Sequence, residues 1–459
     1  MLSRTGLLSL IIASLLTACL GTSASRSSAA NGARPNVVLI FTDDQGYGDL
    51  SSYGHPTIHT PNIDRLGSEG VKLTQFYAAS PVCSPSRAAL LTGCYPKRVG
   101  IHRHVIFPEY DYGLHTDEVT LADMLGGAGY ATGCFGKWHL GHRPGLLPTD
   151  QGFDTFHGVP YSNDMAQIHR PESNDYAYRL PWMHDSEVVE WEPDQGFLTQ
   201  RTTDHAIDFI RRNAERPFFA YIPYSMPHVP LYASKAHAGT SPRGLYGDVI
   251  EEIDAGVGRI LDTLDEFGLG DDTLVIFTSD NGPWLWFKEE GGSAGLLRGG
   301  KATNWEGGQR VPFLARWPLR IPSGTVRREV VTALDIFPTL AAFAGVELSS
   351  GRRIDGLDAS SVFTGVGLDG FLPKPFLYFT PDGDLAGIRR GPWKLLLKSN
   401  ELFQVETDVS EKWDVASEHP ELVEELRALA LEQDQRLEQE SRPSLAVAET
   451  IFDPQKPDR

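Results

Sequence analysis

Cysteine is scarce in this chain, with four among 459 residues, at positions 19, 83, 94 and 134. So few thiols exclude a disulfide-stapled scaffold, and their wide spacing excludes the clustered ligands of a structural zinc site. With Cys19 set aside an odd number remains, so at least one thiol is unpaired; a Cys94–Cys134 bridge stays open. Positive charge is short as well. Lys and Arg total 41 against 60 Asp and Glu, a formal net charge of −19, which argues against a nucleic-acid partner and its usual basic surface. An anionic substrate fits that balance only if cations gather at one site. There is no internal repeat, and beyond the N-terminal segment no apolar run is long enough to span a bilayer.

What is present begins with Arg4 and the apolar run Leu7–Leu16, the layout of a signal peptide over residues 1–18. Leu16-Thr17-Ala18-Cys19 resembles the lipobox of bacterial lipoproteins, which implies a lipidated Cys19 and membrane attachment through it; plain secretion is the alternative. Residues 19–34, rich in Ser, Ala and Gly, read as a tether. The expectation is an exported protein of the bacterial periplasm, outer membrane or cell surface.

Asn36-Val-Val-Leu-Ile-Phe41 and Thr273-Leu-Val-Ile-Phe-Thr278 are continuous apolar, β-branched runs, the pattern of strands buried on both faces. Between them, helical patterns at 120–128, 202–212 and 247–267 alternate with strand patterns at 130–135 and 218–223, and 335–345 reads as one more helix. This alternation predicts an α/β fold over residues 35–365, a large mixed, mostly parallel sheet sandwiched by helices. Four short strand patterns at 376–380, 385–389, 393–397 and 402–405 then precede a charged amphipathic helix at 420–439. They predict a smaller C-terminal antiparallel sheet plus helix over residues 366–441, followed by a loosely ordered tail, 442–459.

The first apolar run ends in Asp43-Asp44 and the second in Asp280-Asn281-Gly282. In open α/β sheets ligands bind beyond the carboxyl ends of the strands. Three carboxylates converging there repel one another unless a cation sits among them, and oxygen ligands without Cys or His clusters suit Ca2+ or Mg2+. A third segment, Cys83-Ser-Pro-Ser-Arg87-Ala-Ala-Leu-Leu-Thr-Gly93, opens a short helix with Pro85 in its first turn. A helix N-terminus and a guanidinium one turn on make that place friendly to anions.

Cys-x-Pro-Ser-Arg followed by Leu-Thr-Gly resembles the signature of the type I sulfatases of the alkaline phosphatase superfamily, in which that cysteine is oxidised to formylglycine. Asn36–Asp49, Pro61-Asn-Ile-Asp-Arg-Leu66, Gly136-Lys-Trp-His-Leu-Gly141, Pro160-Tyr-Ser-Asn-Asp164, Pro227-His228, Arg298–Lys301 with Trp305–Gly308, and Leu402–Glu411 are similar to segments of the same family. The resemblance covers about residues 36–439, in the style of the arylsulfatase A and N-acetylgalactosamine-6-sulfatase branch.

The resemblance implies hydrolysis of aryl or carbohydrate sulfate esters through a formylglycine geminal diol, made from Cys83 by a formylglycine-generating enzyme. It implies Asp43, Asp44, Asp280, Asn281 and the modified residue 83 as ligands of Ca2+, with Mg2+ the alternative. Arg87, Lys137 and Lys301 would surround the sulfate, and Ser162 would hydrogen-bond the formylglycine or sulfate oxygens. His228, assisted by Lys301, would protonate the leaving alcohol, and His139 would take the proton that releases sulfate. Two other readings use the same residues: a phosphonate monoester or phosphodiester hydrolase, and a non-catalytic binder of sulfated glycans. A zinc phosphatase is disfavoured because its His-rich ligands are missing. Trp284 and Trp286 fit either a sugar-stacking platform or buried packing, and His102, His104 and His205 have no context that marks them.

Overall fold

The architecture was obtained as a computed structural model describing residues 34–166, 178–348 and 351–448. The signal-peptide and Cys19 expectations lie outside the described residues. The strands are β1 Asn36–Thr42, β2 Val71–Tyr77, β3 Tyr112–Gly113, β4 Ala131–Lys137, β5 Thr155–Val159 and β6 Pro181–His184. They continue with β7 Glu187–Trp191, β8 Phe218–Pro223, β9 Thr273–Ser279, β10 Arg310–Arg316, β11 Thr325–Arg327 and β12 Val331–Thr332. After them come β13 Phe376–Phe379, β14 Leu385–Arg390, β15 Trp393–Leu396, β16 Glu401–Gln404 and β17 Leu445–Ala446. The α-helices are α1 Pro61–Ser68, α2 Cys83–Thr92, α3 Leu121–Gly127, α4 Leu198–Arg212, α5 Leu245–Glu266, α6 Glu306–Gln309, α7 Ala333–Ala344, α8 Ser360–Thr364 and α9 Pro420–Gln439.

The main sheet runs β11-β2-β10-β9-β1-β8-β4-β5-β6-β7, with β12 also paired to β2. Its centre, β9-β1-β8-β4-β5, is parallel. β10 is antiparallel to both β9 and β2, and β6 and β7 extend the far edge as an antiparallel meander. Alternation along β1 shows why the central strands are apolar throughout. Val37, Leu39 and Phe41 share a buried cluster with residues of α2, α3 and α7. Val38 and Ile40 share the opposite cluster with residues of α1, α4 and α5. Each face is covered, so neither can be polar.

The mixed sheet with helices on both faces is the architecture expected, with shifted boundaries. α3 begins after Thr120, whose hydroxyl accepts the Asp123 backbone N–H while the Asp123 carboxylate accepts that of Thr120. A similar box at Thr332 and Asp335 starts α7 at Ala333, two residues before the apolar pattern. The C-terminal strands form an antiparallel sheet, β13-β14-β15-β16, packed against α9. The expectation of a loose tail does not hold for its first residues. Arg442 makes a two-pronged pair with Glu118, at 2.7 and 2.8 Å, and β17 pairs with β3.

Candidate active site

β1 and β9 are neighbours in parallel register, Thr42 opposite Ser279, so Asp43-Asp44 and Asp280-Asn281 leave the sheet side by side. The Asp44 backbone N–H donates to Asp280 Oδ1 at 3.0 Å, and Asn281 Nδ2 donates to Asp44 Oδ1 at 2.8 Å. All four side chains are buried. Asp44 adopts φ 64, a left-handed conformation that a non-glycine residue holds only when its surroundings enforce it. Gly282 is required next, because a Cβ there would run into the Gly307 carbonyl.

The wholly buried helix α2 delivers Cys83 to the same point. Its Sγ lies 3.4 Å from Asp43 Oδ1, 3.9 Å from Asp44 Oδ1 and 3.6 Å from Lys301 Nζ. Burial pushes the Cys83 thiol well up, outweighing Lys137 and Lys301. An unmodified Cys83 is therefore a protonated thiol and a poor nucleophile. Gly93, at φ 67, ends the helix against α7; a Cβ there would sit 2.8 Å from that of Phe337.

Arg87 faces the carboxylates: it donates to Asp280 Oδ2 at 2.9 Å and to the Lys137 carbonyl at 2.8 Å, and lies 3.4 Å from Asp43 Oδ2. Lys137 Nζ reaches Asp43 Oδ2 at 2.5 Å and Ser162 Oγ at 3.0 Å. Lys301 Nζ reaches Asp44 Oδ2 at 2.8 Å and sits over the Trp284 ring at 4.2 Å. The cations that the overall composition hides are thus gathered here, one for each carboxylate.

Burial pushes Asp280 up to about 7, reinforced by Asp43 and Asp44 and opposed by Arg87 and Lys137. Asp43 is also pushed up by burial, but Lys137 and Arg87 outweigh it and hold it well below the usual carboxylate range. This cluster fits a divalent cation. The Asp280 carboxyl is crowded enough by Asp43 and Asp44 to hold a proton more tightly than usual, and the buried Asn281 Oδ1 has no hydrogen-bond partner among the described residues. Ligand atoms of Asp43, Asp44, Cys83 and His228 lie within 4.8 Å of one another. The histidine in that group was not read as a ligand from sequence. Asp280, which was, already accepts from Asp44 N–H and Arg87, leaving lone pairs for a metal.

The two histidines keep different ring nitrogens free, Nε2 in His228 and Nδ1 in His139. His228 lies between cis prolyl bonds, Met226–Pro227 and Val229–Pro230. Its Nδ1 donates to the Val229 carbonyl at 2.6 Å, which leaves Nε2 facing Asp44 Oδ2 at 3.5 Å. His139 is not on the strand continuing from Lys137; it has turned off at φ 62, so strand alternation does not place it. Its Nε2 donates to the Ile106 carbonyl at 3.1 Å, and Nδ1 is buried with no hydrogen-bond partner among the described residues. Burial lowers the pKa of both rings, with Lys137 and Arg87 adding at His139 and Lys301 at His228.

The structure brings every predicted site residue together, adds Asp164 and places Trp284 beside them. Asp164 hydrogen-bonds Ser162; burial raises its pKa, but His228 and Lys137 more than offset that. Its signal was the Ser-Asn-Asp run after β5. Trp284 lies 5.4 Å from the His228 ring, whereas Trp286 points away and is 88% exposed. His205 stacks on His157, outside the site. Cys94 and Cys134 are buried free thiols.

A cluster of carboxylates, cations and two histidines beyond the carboxyl ends of the central strands, around one masked nucleophile, defines a metal-assisted hydrolase of anionic esters. Comparison with known proteins narrows the class. The family model described as Sulfatase matches residues 35–346. Human arylsulfatase A is 41% identical over 362 residues, covering 76% of this chain and 70% of that protein. The N-acetylgalactosamine-6-sulfatase of Sus scrofa is 43% identical over 339 residues, covering 71% of this chain; the chain spans 65% of that relative's length. A crystal structure of Ps i-CgsB in complex with k-i-k-neocarrahexaose superposes with a TM-score of 0.78 at 30% identity, over 89% of this chain and 94% of that one. The chain belongs to the sulfatase family.

Proposed function

We propose that this sulfatase hydrolyses sulfate esters of carbohydrate or aryl alcohols through a formylglycine derived from Cys83, with Ca2+ as its cation and Mg2+ the alternative. The observation that carries the reading is the Cys83 Sγ, held between two carboxylates and the Lys301 ammonium in a pocket that keeps the thiol protonated. Asp43, Asp44, Asp280 and Asn281 would hold the cation together with residue 83. Once bound and formed, the cation and the hydrated aldehyde would supply an oxygen nucleophile at neutral pH and a second hydroxyl for releasing sulfate.

The chain's own residues do the rest. Lys137 and Lys301 neutralise the sulfate oxygens, and Arg87 keeps Asp43 and Asp280 in place beneath them. Ser162 orients Lys137. His228, its Nδ1 committed to Val229, uses Nε2 to carry the proton for the departing alcohol, beside the charged Lys301. His139, its Nε2 committed to Ile106, offers Nδ1 as the base at residue 83.

A formylglycine-generating enzyme acts on Cys83 during maturation, and a lipidated Cys19 anchors the exported protein; the Leu16–Cys19 sequence supports that localisation. A solved phosphonate monoester hydrolase of Agrobacterium radiobacter shares the fold at 22% identity, with a TM-score of 0.61, and does not alter the reading. The test is mass analysis of the tryptic peptide around residue 83 with turnover of an aryl sulfate. The expected result is an aldehyde-bearing peptide in the active protein and no turnover by Cys83→Ala. Full turnover by that variant would sink the scheme.

A further inference from the structure

A second group of cationic side chains lies outside the catalytic cluster. A cavity of about 800 Å³ opens between the loop following Asp44 and segment 292–297. Arg243, Arg310 and His55 line it with Tyr47 and Ser293, and no carboxylate does. Two carboxylates lie just behind that lining, Asp49 at Gly292 and Glu306 beside Arg310. Burial pushes Asp49 up to about 7, so in a chain of net charge −19 the lining itself is cationic.

The groups are set as donors. Arg243 is half-buried, and among the described residues its guanidinium has no hydrogen-bond or ion-pair partner; it lies 5.4 Å from the centre of the Tyr246 ring. The buried arginines Arg87, Arg98 and Arg389, by contrast, are all engaged. His55 Nδ1 accepts the backbone N–H groups of Thr57 and Ile58, at 3.2 and 2.9 Å. The neutral ring therefore carries its proton on Nε2, a donor with no acceptor among the described residues. Ser293 Oγ accepts from the Gly295 N–H at 3.1 Å, which leaves its own proton to give. Arg310 donates to the Thr74 carbonyl at 2.8 Å and lies over the Tyr47 ring, partly neutralised by Glu306 at 3.4 Å. The cavity is lined by segments that continue in the chain to the catalytic cluster. Gly48, four residues beyond Asp44, donates to the Ser293 carbonyl at 2.9 Å, and segment 292–297 leads directly into Arg298–Lys301.

We propose that this cavity is a second anion site that takes a sulfate-type oxyanion, held by the Arg243 guanidinium, the His55 Nε2–H and the Ser293 hydroxyl, with Arg310 adding positive potential. The oxyanion comes either from inorganic sulfate or from a second sulfate group on a multiply sulfated substrate. The assignment stands on this cavity alone, whichever alcohol the catalytic site releases.

Calorimetric titration of the purified protein with sodium sulfate at constant ionic strength tests it, alongside Arg243→Ala, Arg243→Lys and Lys137→Ala. The expected result is a binding event that persists in Lys137→Ala, weakens about tenfold or more in Arg243→Ala and is partly regained in Arg243→Lys. Sulfate binding that Arg243→Ala leaves unchanged overturns the assignment. So does binding that vanishes entirely in Lys137→Ala, or an absence of binding. Singly and doubly sulfated forms of one saccharide then separate the sources. Arg243→Ala raises KM for the doubly sulfated form alone if the site takes a substrate group, and changes neither KM if it takes inorganic sulfate. Failure of the catalytic reading would appear separately, as no turnover of either saccharide with the calorimetry intact.

Discussion

Arg87 shows how much a single side chain can be asked to do. Its guanidinium spans Asp280, Asp43 and the Lys137 carbonyl with no exposure to solvent. A lysine has the charge but not the fork, so Arg87→Lys cannot satisfy all three acceptors. Leaving buried carboxylates incompletely paired costs about 3–5 kcal/mol. The expected outcome is a lower Tm and a loss of kcat/KM of at least about a hundredfold, read by thermal melts and steady-state kinetics. A variant with wild-type Tm and kcat/KM would show that the bridge is dispensable. At this scale much was legible. Acids ending two apolar runs, and Cys83 four residues before an arginine, are local patterns. What was not legible was backbone conformation. Asp44, His139 and Ala302, the proposed metal-site acid, the proposed base and the neighbour of Lys301, all take positive φ without being glycine. Those conformations are enforced by tertiary contacts and leave no local trace in the sequence. Trp284 was likewise undecidable, because an aromatic residue near a strand end reads alike whether it faces a core or a catalytic lysine.

Between residue and fold, the element that most needs support is the segment carrying Lys301. Its backbone is tied to the strand ends, Lys301 N–H to the Pro283 carbonyl and Ala302 N–H to the Pro81 carbonyl, both at 2.9 Å. Behind it α6 begins at Glu306, a fully buried carboxylate bonded to Lys394 at 3.1 Å, to the Tyr378 hydroxyl at 3.0 Å and to Tyr77. Lys394 and Tyr378 belong to the C-terminal sheet, so that sheet grips the catalytic segment through a charged cluster. Glu411 completes it, accepting the Glu306 N–H at 2.7 Å and pairing with Lys394 at 2.7 Å. Glu306→Gln keeps the shape and removes the charge, leaving Lys394, Arg389 and Arg310 opposed only by Glu411 and by the half-exposed Glu406, 4.0 Å from Arg389. A destabilisation of about 3–5 kcal/mol is expected in denaturant melts, and an unchanged midpoint would refute it. The acid limb has a definite sign. Burial raises Glu306, but Lys394, Arg389 and Arg310 outweigh it and hold it at about 2, below its ordinary 4.5. Its contribution is therefore present above pH 4.5 and lost as pH falls toward 2, and Glu306→Gln should flatten that limb. Among the strands that sequence reading missed, β2 and β10 explain themselves. β2 alternates apolar and polar positions, and β10 carries two arginines and a proline. Neither resembles the continuous apolar runs of β1 and β9, yet β10 turns the parallel centre into a mixed sheet.

For the molecule as a whole, the catalytic cluster stores an electrostatic debt that a cation should relieve. Three carboxylates converge in a buried space, and Asp280 sits near pH 7 because burial, Asp43 and Asp44 all disfavour its charge. A carboxyl raised in the fold from its ordinary 3.8 stabilises the fold below that value. That stability is lost as pH climbs through 7. The cation-free protein should accordingly weaken between pH 5.5 and 8, in the range where a divalent ion gains its full set of charged ligands and no longer competes with a proton. Calcium at a hundred times its Kd adds about 2.7 kcal/mol to the folded state. The expected outcome is a Ca2+-dependent rise in Tm that is larger at pH 8 than at pH 5.5, reversed by chelation and absent in Asp44→Ala. Scanning fluorimetry of the chelated and calcium-loaded protein at the two pH values measures it. A shift of equal size at both pH values would mean that the ion binds elsewhere, at groups already charged at pH 5.5. No shift at either would mean that Arg87, Lys137 and Lys301 already neutralise the cluster without it.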